Sequence, residues 1–150
     1  MACWFNEERF IAEGVFNTSA SLSEDGFLRV HGNDYISLNN GGWKIYLSIH
    51  LDEGTFNGKG EYQVNNRDGT DNRIGVRLIR NNSTSDHFVA TESSGSGHGT
   101  VEIIEFDTST TYGVISGTFD FQGFGRDPFG SGATIEFRVE EGRFDIDLRH

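Results

Sequence analysis

The residues that could support nucleophilic or zinc chemistry are few, and they are scattered along the chain. Cysteine occurs once, as Cys3, and the histidines fall in separate segments, at His31, His50, His87, His98 and His150. A catalytic nucleophile needs an oriented base beside it, and zinc sites take His or Cys ligands at short spacings. No serine lies in a nucleophile-elbow motif, and no closely spaced histidine pair occurs in the sequence. The sequence therefore predicts a non-enzymatic domain without a cofactor.

Calcium is the metal with the better candidate site. Asp68 and Asp71 lie in a loop, residues 65–72, that is rich in the carboxylate and amide oxygens preferred by hard cations. The loop does not follow the EF-hand order, since it has no D-x-[DN]-x-[DN]-G run. A hairpin loop built from turn-forming residues explains the same composition, and the sequence favours that interpretation. Asp68 and Asp71 are the candidate metal ligands.

The clearest strand pattern supplies candidate ligand-binding residues. Between Trp43 and Leu51, apolar side chains alternate with polar ones, which is the period of a β-strand with two different faces. The polar face carries Lys44, Tyr46 and His50. If the sheet closes into a barrel, these side chains line a polar cavity or lie on the surface, depending on which face points inward. They are the candidate ligand-binding residues.

Short alternating segments separated by glycine-containing turns make up most of the chain. Turn pairs such as Asp25-Gly26 and Asn40-Gly41 are preferred in hairpins, and the pattern predicts about nine or ten strands. Because no helical segment is available to cover the apolar face, the sheet must close on itself or form two layers. The sequence predicts an all-β, mostly antiparallel single domain over residues 9–150, either a lipocalin-like barrel or a two-layer sandwich. Residues 1–8 are expected to form a flexible N-terminal tether.

Three further positions carry structural expectations. Glu141-Gly142 is predicted as the tight turn that joins the last two strands. Gly117 lies inside the alternating run Tyr112–Phe121 and predicts a bulge or the close approach of another backbone. The segment Leu51–Lys59 is predicted as a long mobile loop between strands.

The charge balance limits the classes of partner. The chain has 150 residues with 12 Lys and Arg against 23 Asp and Glu, so its formal net charge is −11. Nucleic-acid binding depends on the release of counterions by a basic face, and anionic lipid repels an acidic surface. The expected partner is therefore a small molecule or a protein and not nucleic acid. We expect a monomer that contacts a membrane only through a lipid anchor.

The position of Cys3 allows two interpretations. A lone cysteine near a chain terminus is commonly a free thiol. Alternatively, Cys3 is the lipidated cysteine of a bacterial lipoprotein, and Met1-Ala2 precede the start of the mature chain. The sequence shows no charged segment followed by the apolar segment that is typical of a signal peptide. The expected location is the periplasm or the outer membrane if Cys3 is lipidated, and the cytoplasm if Met1 is the native start.

A set of strand-and-turn motifs spans most of the chain: Phe10–Ala12, Gly60–Tyr62, Gly99–Ile104, Ile115–Phe121 and Val139–Phe144. Together they resemble a family of small Bacteroidetes extracytoplasmic lipoproteins of unknown function. The resemblance implies an all-β domain behind a short lipid-anchored tail, which supports lipidation of Cys3. Strand count and size also resemble a lipocalin-like barrel, although the Gly-x-Trp signature that the lipocalins carry near the first strand is missing there.

The leading hypothesis is a non-enzymatic lipoprotein domain of the cell envelope that binds a small ligand or a protein partner. The alternative is a calycin-like barrel that acts as an enzyme or a ligand carrier, with its pocket inside the barrel. The position of the polar side chains distinguishes the two, because a carrier requires polar groups that converge on an internal cavity.

Overall fold

The computed structural model of the chain is built from β-strands. The structure describes residues 1–5, 7–11, 18–22, 28–38, 41–52, 54, 56–65, 72–80, 86–90, 97–108, 113–126 and 133–149. No helix that could cross a membrane occurs within these ranges. Their strands are β1 (Ala2–Phe5), β2 (Glu8–Ile11), β3 (Thr18–Leu22), β4 (Leu28–Leu38), β5 (Gly41–Leu51), β6 (Gly60–Asn65), β7 (Arg73–Arg80), β8 (Asp86–Ala90), β9 (His98–Asp107), β10 (Gly113–Arg126) and β11 (Thr134–Arg149).

All of these strands belong to one sheet. Its main path runs in the order β6-β9-β10-β11-β3-β4-β5-β7-β8, while β1 pairs with β11 and with β2. Neighbouring strands are antiparallel, apart from the short parallel contact between β11 and β3. The sheet curls until it is nearly closed and barrel-shaped. The predicted all-β fold is confirmed, and of the two architectures that the sequence allowed, the chain adopts the barrel.

The apolar faces of the strands fill the described interior of the barrel. In β5, Leu47, Ile49 and Leu51 are buried, while Tyr46 and His50 lie on the opposite face. Burial of one such apolar side chain stabilises the fold by about 1.5–3 kcal/mol. The largest fully buried side chains are Phe119, Phe137, Leu28, Leu47, Ile49, Leu51, Ile74 and Ile103. Their burial fixes which polar side chains point outward, where a surface site can form.

A bulge interrupts the pairing of β10 with β11. Phe119 pairs with Gly142 but Phe121 pairs with Val139, so β11 contributes one residue more than β10 between the two pairs. At the bulge Glu141 has a φ of 51°, in the left-handed region. The prediction that Glu141-Gly142 is a hairpin turn is therefore wrong. A residue with positive φ followed by glycine fits a bulge as well as a turn, and β11 continues through it.

A second bulge lies between β9 and β10. The register shifts between Ser116 and Gly117, and Ile104 is the extra residue on β9. A Cβ at Gly117 would lie 2.2 Å from the carbonyl oxygen of Glu102, which leaves no room for any side chain. The sequence predicted a bulge or a close backbone approach at Gly117, and the structure confirms both. The side chain of Ile104 is turned outward and is 55% exposed.

The first residues of the chain take part in the sheet. β1 pairs with β2 and with β11, and Trp4 lies opposite Glu140. Cys3 is buried, with 4% of its surface exposed, whereas Trp4 on the other face of the strand is 41% exposed. The sequence prediction treated residues 1–8 as a tether, but Ala2–Phe5 is a strand. The reason is that Cys3 behaves as a small apolar side chain at an inward position.

The connection between β5 and β6 is attached to one end of the barrel. The ring of Phe56 meets Phe106 edge to face, with 5.2 Å between the centroids, and lies 5.6 Å from Tyr62. The hydroxyl of Tyr62 donates a hydrogen bond of 2.7 Å to the carbonyl of Gly58. The described part of this predicted loop therefore packs against the core.

A buried amide joins β5, β6 and the start of β7. Asn72 is 6% exposed, and its Oδ1 accepts a hydrogen bond of 2.9 Å from the backbone N–H of Asp52. Its Nδ2 donates to the carbonyl of Gln63 over 3.2 Å. A buried amide that satisfies backbone groups on two sides holds these chain segments in register.

Candidate functional site

A groove of about 420 Å³ crosses the outer face of β6, β9, β10 and β11. Each of these strands turns its apolar residues inward, and polar side chains at the alternate positions form the walls of the groove. The volume falls within the ~300–1,000 Å³ range of small-molecule sites. The polar side chains that line it are Gln63, His98, Thr100, Asp120, Gln122, Arg138 and Glu140. We call this feature the outer groove.

Hydrogen bonds within the sheet surface order one wall of the outer groove. Arg138 donates from Nε to Oε1 of Glu136 at 2.5 Å, and Gln122 donates to the same oxygen at 2.9 Å. The hydrogen bond and the negative charge of Glu136 raise the pKa of the Arg138 guanidinium. Arg138 and Gln122 therefore lie side by side, both bound to the same carboxylate oxygen of Glu136.

The β11 bulge organises the other wall. The backbone N–H of Glu141 donates a hydrogen bond of 3.0 Å to Oδ1 of Asp120, a residue that lines the outer groove. The side chain of Glu141 accepts a hydrogen bond of 3.1 Å from Nε1 of Trp4. One residue in a sparsely populated backbone conformation thus positions both a carboxylate and an exposed aromatic ring. Such conformations cost about 1–3 kcal/mol and concentrate at functional sites.

A glycine lies between the walls. Gly99 lines the outer groove and pairs with Phe121 in β10. A Cβ at Gly99 would lie 2.3 Å from the carbonyl oxygen of Asp120. Gly99 lies on the inward side of β9, like the buried Val101, so the missing side chain lets the backbones of β9 and β10 approach closely beneath the groove.

No family model, no curated protein and no solved structure matches the chain. The resemblance to Bacteroidetes lipoproteins stays a prediction from the sequence motifs. The function therefore has to follow from the chemical groups of the outer groove and their arrangement.

The ligand-binding residues predicted from the sequence lie elsewhere on the barrel. Tyr46 and His50 are half-buried on the outer face of β5, and neither lines the outer groove. Lys44 belongs to the same strand, but its side chain lies outside the described residues. His50 pairs across the strands with Arg29 on one side and Arg73 on the other. Ligand binding at Lys44, Tyr46 and His50 stays a prediction.

His31, on the neighbouring strand β4, has a shifted pKa. Burial lowers the pKa of His31, and the charge of the neighbouring Arg29 lowers it further. His31 lies two positions from Arg29 on β4 and opposite Ser48 on β5. The neutral imidazole is therefore the form that the folded protein favours.

The predicted calcium ligands, Asp68 and Asp71, lie outside the described residues. Within the described ranges there is no group of three or more His, Cys, Asp and Glu side chains that could hold a metal ion. Calcium binding by Asp68 and Asp71 stays a prediction from the loop composition.

The thiol of Cys3 faces the core. Burial raises the pKa of this thiol from 9.0 to about 12, and the charge of the N-terminus offsets a small part of that effect. A lipid attached to Sγ would have to occupy space filled by core side chains. Lipidation of Cys3 stays a prediction, and it requires β1 to leave the sheet.

The residues that build the outer groove were not found by sequence reasoning. Alternation does place Asp120 and Gln122 on the polar face of their strand. However, the contribution of Trp4 and Glu141 depends on pairing between opposite ends of the chain. A pattern confined to a local window carries no information about such pairing.

Proposed function

We propose that this chain is a non-enzymatic binding domain of the cell envelope and that the outer groove binds a small polar ligand. The observation that carries the proposal is the β11 bulge. There Glu141 is hydrogen-bonded both to Asp120, which lines the groove, and to the exposed Trp4. Strained backbone beside a cavity supports a binding role, because bulges redirect side chains next to functional sites.

The chemistry of the groove supports a polar ligand. Asp120 and Glu140 supply carboxylate acceptors, Arg138 supplies donors, and Gln63 with Gln122 supplies amides that can donate and accept. A ligand with several hydroxyl, amide or amino groups matches this set. An apolar ligand would leave these groups without partners.

The open position of the groove supports binding more than catalysis. It lies on the outer face of the sheet, and Arg138 in its wall has 58% of its side chain exposed. Electrostatic catalysis gains most in a site that excludes water. A carrier with an internal pocket has less support, because Phe119 and Phe137 are among the large side chains that fill the described interior.

Ligand-detected NMR with a panel of defined compounds tests the proposal. The panel contains neutral oligosaccharides, free amino acids, short peptides and nucleosides, each at about 1 mM, which detects binding of about −4 kcal/mol or tighter. We expect one class to bind. Asp120→Ala should weaken that binding at least about tenfold, as expected for a hydrogen bond to a charged group.

Asp145→Ala is the matched control, because Asp145 is an exposed carboxylate on the same face of β11, opposite Ser116 and away from the groove. It should leave the affinity unchanged. The proposal is overturned if no compound of the panel binds, or if Asp120→Ala and Asp145→Ala have the same effect. Turnover of a bound compound would also overturn it and would indicate an enzyme.

A further inference from the structure

We infer that the ligand of the outer groove is a neutral oligosaccharide and that Trp4 is the surface on which a sugar ring stacks. This inference rests on the proposed function, since it names the ligand class of the same site. It is carried by the position of an exposed tryptophan beside a row of polar side chains.

Trp4 is exposed and at the same time held in place. The residue is 41% exposed, although tryptophan is usually well buried. The Nε1–H donates to Glu141 over 3.1 Å, so the polar edge of the indole is already satisfied. The conformational entropy of the side chain is thereby reduced before a ligand arrives. What remains for a ligand is a flat apolar surface.

Trp4 does not line the outer groove but lies beside it on β1, the strand that pairs with β11. Trp4 lies opposite Glu140, which lines the groove, and Cα atoms of opposite residues in an antiparallel pair are ~4.5–5.5 Å apart. Both side chains point outward, since Cys3 and Val139 next to them are buried. A ligand that lies in the groove can therefore reach the indole.

A sugar combines the two surfaces that this site offers. The faces of a pyranose ring carry C–H groups that pack on an aromatic ring, and its rim carries hydroxyls that donate and accept hydrogen bonds. Asp120 and Glu140 accept from hydroxyls, while Gln122 and Arg138 can donate to them. Each polar residue then finds a partner on the rim while Trp4 covers the face.

The charges of the site disfavour anionic ligands. Asp120 and Glu140 would repel a phosphate or a carboxylate, and Arg138 is already paired with Glu136. The net charge of −11 acts in the same direction. A cationic peptide matches the carboxylates, but it makes less use of the amides of Gln63 and Gln122. It is therefore the competing outcome of the test.

The experiment titrates the protein with linear tetrasaccharides of defined linkage: maltotetraose, cellotetraose, laminaritetraose, xylotetraose and mannotetraose. Calorimetry measures the affinity, and the fluorescence change that is present in the wild type and lost in Trp4→Phe reports on the indole of Trp4, since Trp43 is common to both proteins. We expect at least one tetrasaccharide to bind and to change the fluorescence. Trp4→Ala should weaken it at least about tenfold, and Trp4→Phe should restore part of the affinity because a flat ring is kept.

Ile104→Ala is the matched control for Trp4→Ala. Ile104 is also an exposed apolar residue at a bulge, but it lies about 13 Å along β9 from Thr100 at the groove. Its removal should leave the affinity unchanged. Circular dichroism of every variant shows whether it keeps the fold. If Trp4→Ala loses the fold, the affinity of Trp4→Phe is used to decide whether Trp4 takes part in binding.

The outcomes separate this inference from the proposed function. Suppose that no tetrasaccharide binds, but that a lysine-containing tripeptide or another compound class of the NMR panel does, and that Asp120→Ala abolishes this binding. The saccharide inference is then overturned, and the proposed function stands. If no class binds in that manner, both are overturned. Tetrasaccharide binding that is equal in Trp4→Ala and the wild type overturns the role of Trp4.

Discussion

The thiol of Cys3 provides a quantitative test of whether β1 is docked on the sheet. Only 4% of the residue is exposed, and burial raises the pKa of the thiol from 9.0 to about 12. The thiolate is the species that attacks a disulfide reagent. The folded protein can therefore react only through a small thiolate fraction or after β1 has opened.

The fractions of thiolate in the unfolded and the folded protein give the expected ratio of their reaction rates. At about pH 8, a thiol with a pKa of 9.0 is about one-tenth ionised, and one with a pKa of about 12 is ionised to about 10⁻⁴. The folded protein should therefore react with DTNB about 1,000-fold more slowly than the protein unfolded in urea. The absorbance of the released thionitrobenzoate measures both rates.

The matched control moves the thiol to the surface. In the double variant Cys3→Ser, Ser21→Cys, the thiol lies at an exposed position of β3. It should react in the folded protein at close to the rate of the unfolded chain. If the wild type reacts within about tenfold of its unfolded rate while its circular dichroism is unchanged, the reasoning about β1 is refuted.

The same raised pKa predicts a loss of stability in alkali. Below pH 9.0 the thiol is neutral in both states, and between pH 9.0 and about 12 it ionises first in the unfolded chain, which favours unfolding. At about pH 10 this ionisation lowers the free energy of unfolding of the wild type by about 1.4 kcal/mol. The variant Cys3→Ala has no thiol and should not show this loss. Urea titrations at about pH 8 and 10 measure the difference, and equal losses in both proteins would contradict the argument.

Three other changes test the fold. Gly117→Ala should destabilise the protein by about 1–3 kcal/mol or more, because its Cβ would meet the carbonyl oxygen of Glu102 at 2.2 Å. In thermal melts Ser116→Ala should change the stability by less than about 0.5 kcal/mol, and equal effects would be inconsistent with the clash. His31 has a lowered pKa, so its contribution to stability is present above pH 6.5 and is lost as the pH falls through the lowered value. His31→Gln should reduce the fall in Tm between about pH 7.5 and 5, and an unchanged fall would argue against this role. Asn72→Ala should cost about 1–3 kcal/mol in urea denaturation, because two part-buried backbone groups lose their partner. Asn72→Asp keeps the acceptor but turns a carboxylate oxygen toward the carbonyl of Gln63, so it should cost at least as much as Asn72→Ala, and a smaller cost would contradict the role of the Nδ2 donor.

Local periodicity was enough to predict the class of fold and many of the buried faces. The alternation in β5 correctly separates Leu47, Ile49 and Leu51 from Tyr46 and His50, because a strand with one wet face must alternate. It could not decide between a barrel and a sandwich. That choice depends on which strands pair around the sheet, and hydrophobic burial satisfies the same alternation in either architecture.

The errors at the two ends of the chain share one physical cause. Glu141-Gly142 has the backbone preferences of a hairpin turn, and the pairing of β10 along the whole of β11 turns it into a bulge. Cys3 is in a segment with polar neighbours, and the free edge of β11 draws it into a strand. In both cases contacts distant in sequence override the local preference, and the hydrogen bond between Trp4 and Glu141 depends on both.

The pairing of β11 also determines when, during synthesis, the barrel can finish folding. β11 is the last strand of the described chain, yet β1, β3 and β10 all pair with it. Trp4 and Glu141, which meet in the structure, are 137 positions apart. During synthesis the N-terminal strands leave the ribosome long before their partner exists, so the barrel closes only after translation of β11. Such non-local pairing slows folding, and until β11 arrives β1 and β3 each have an edge without the partner that it has in the barrel.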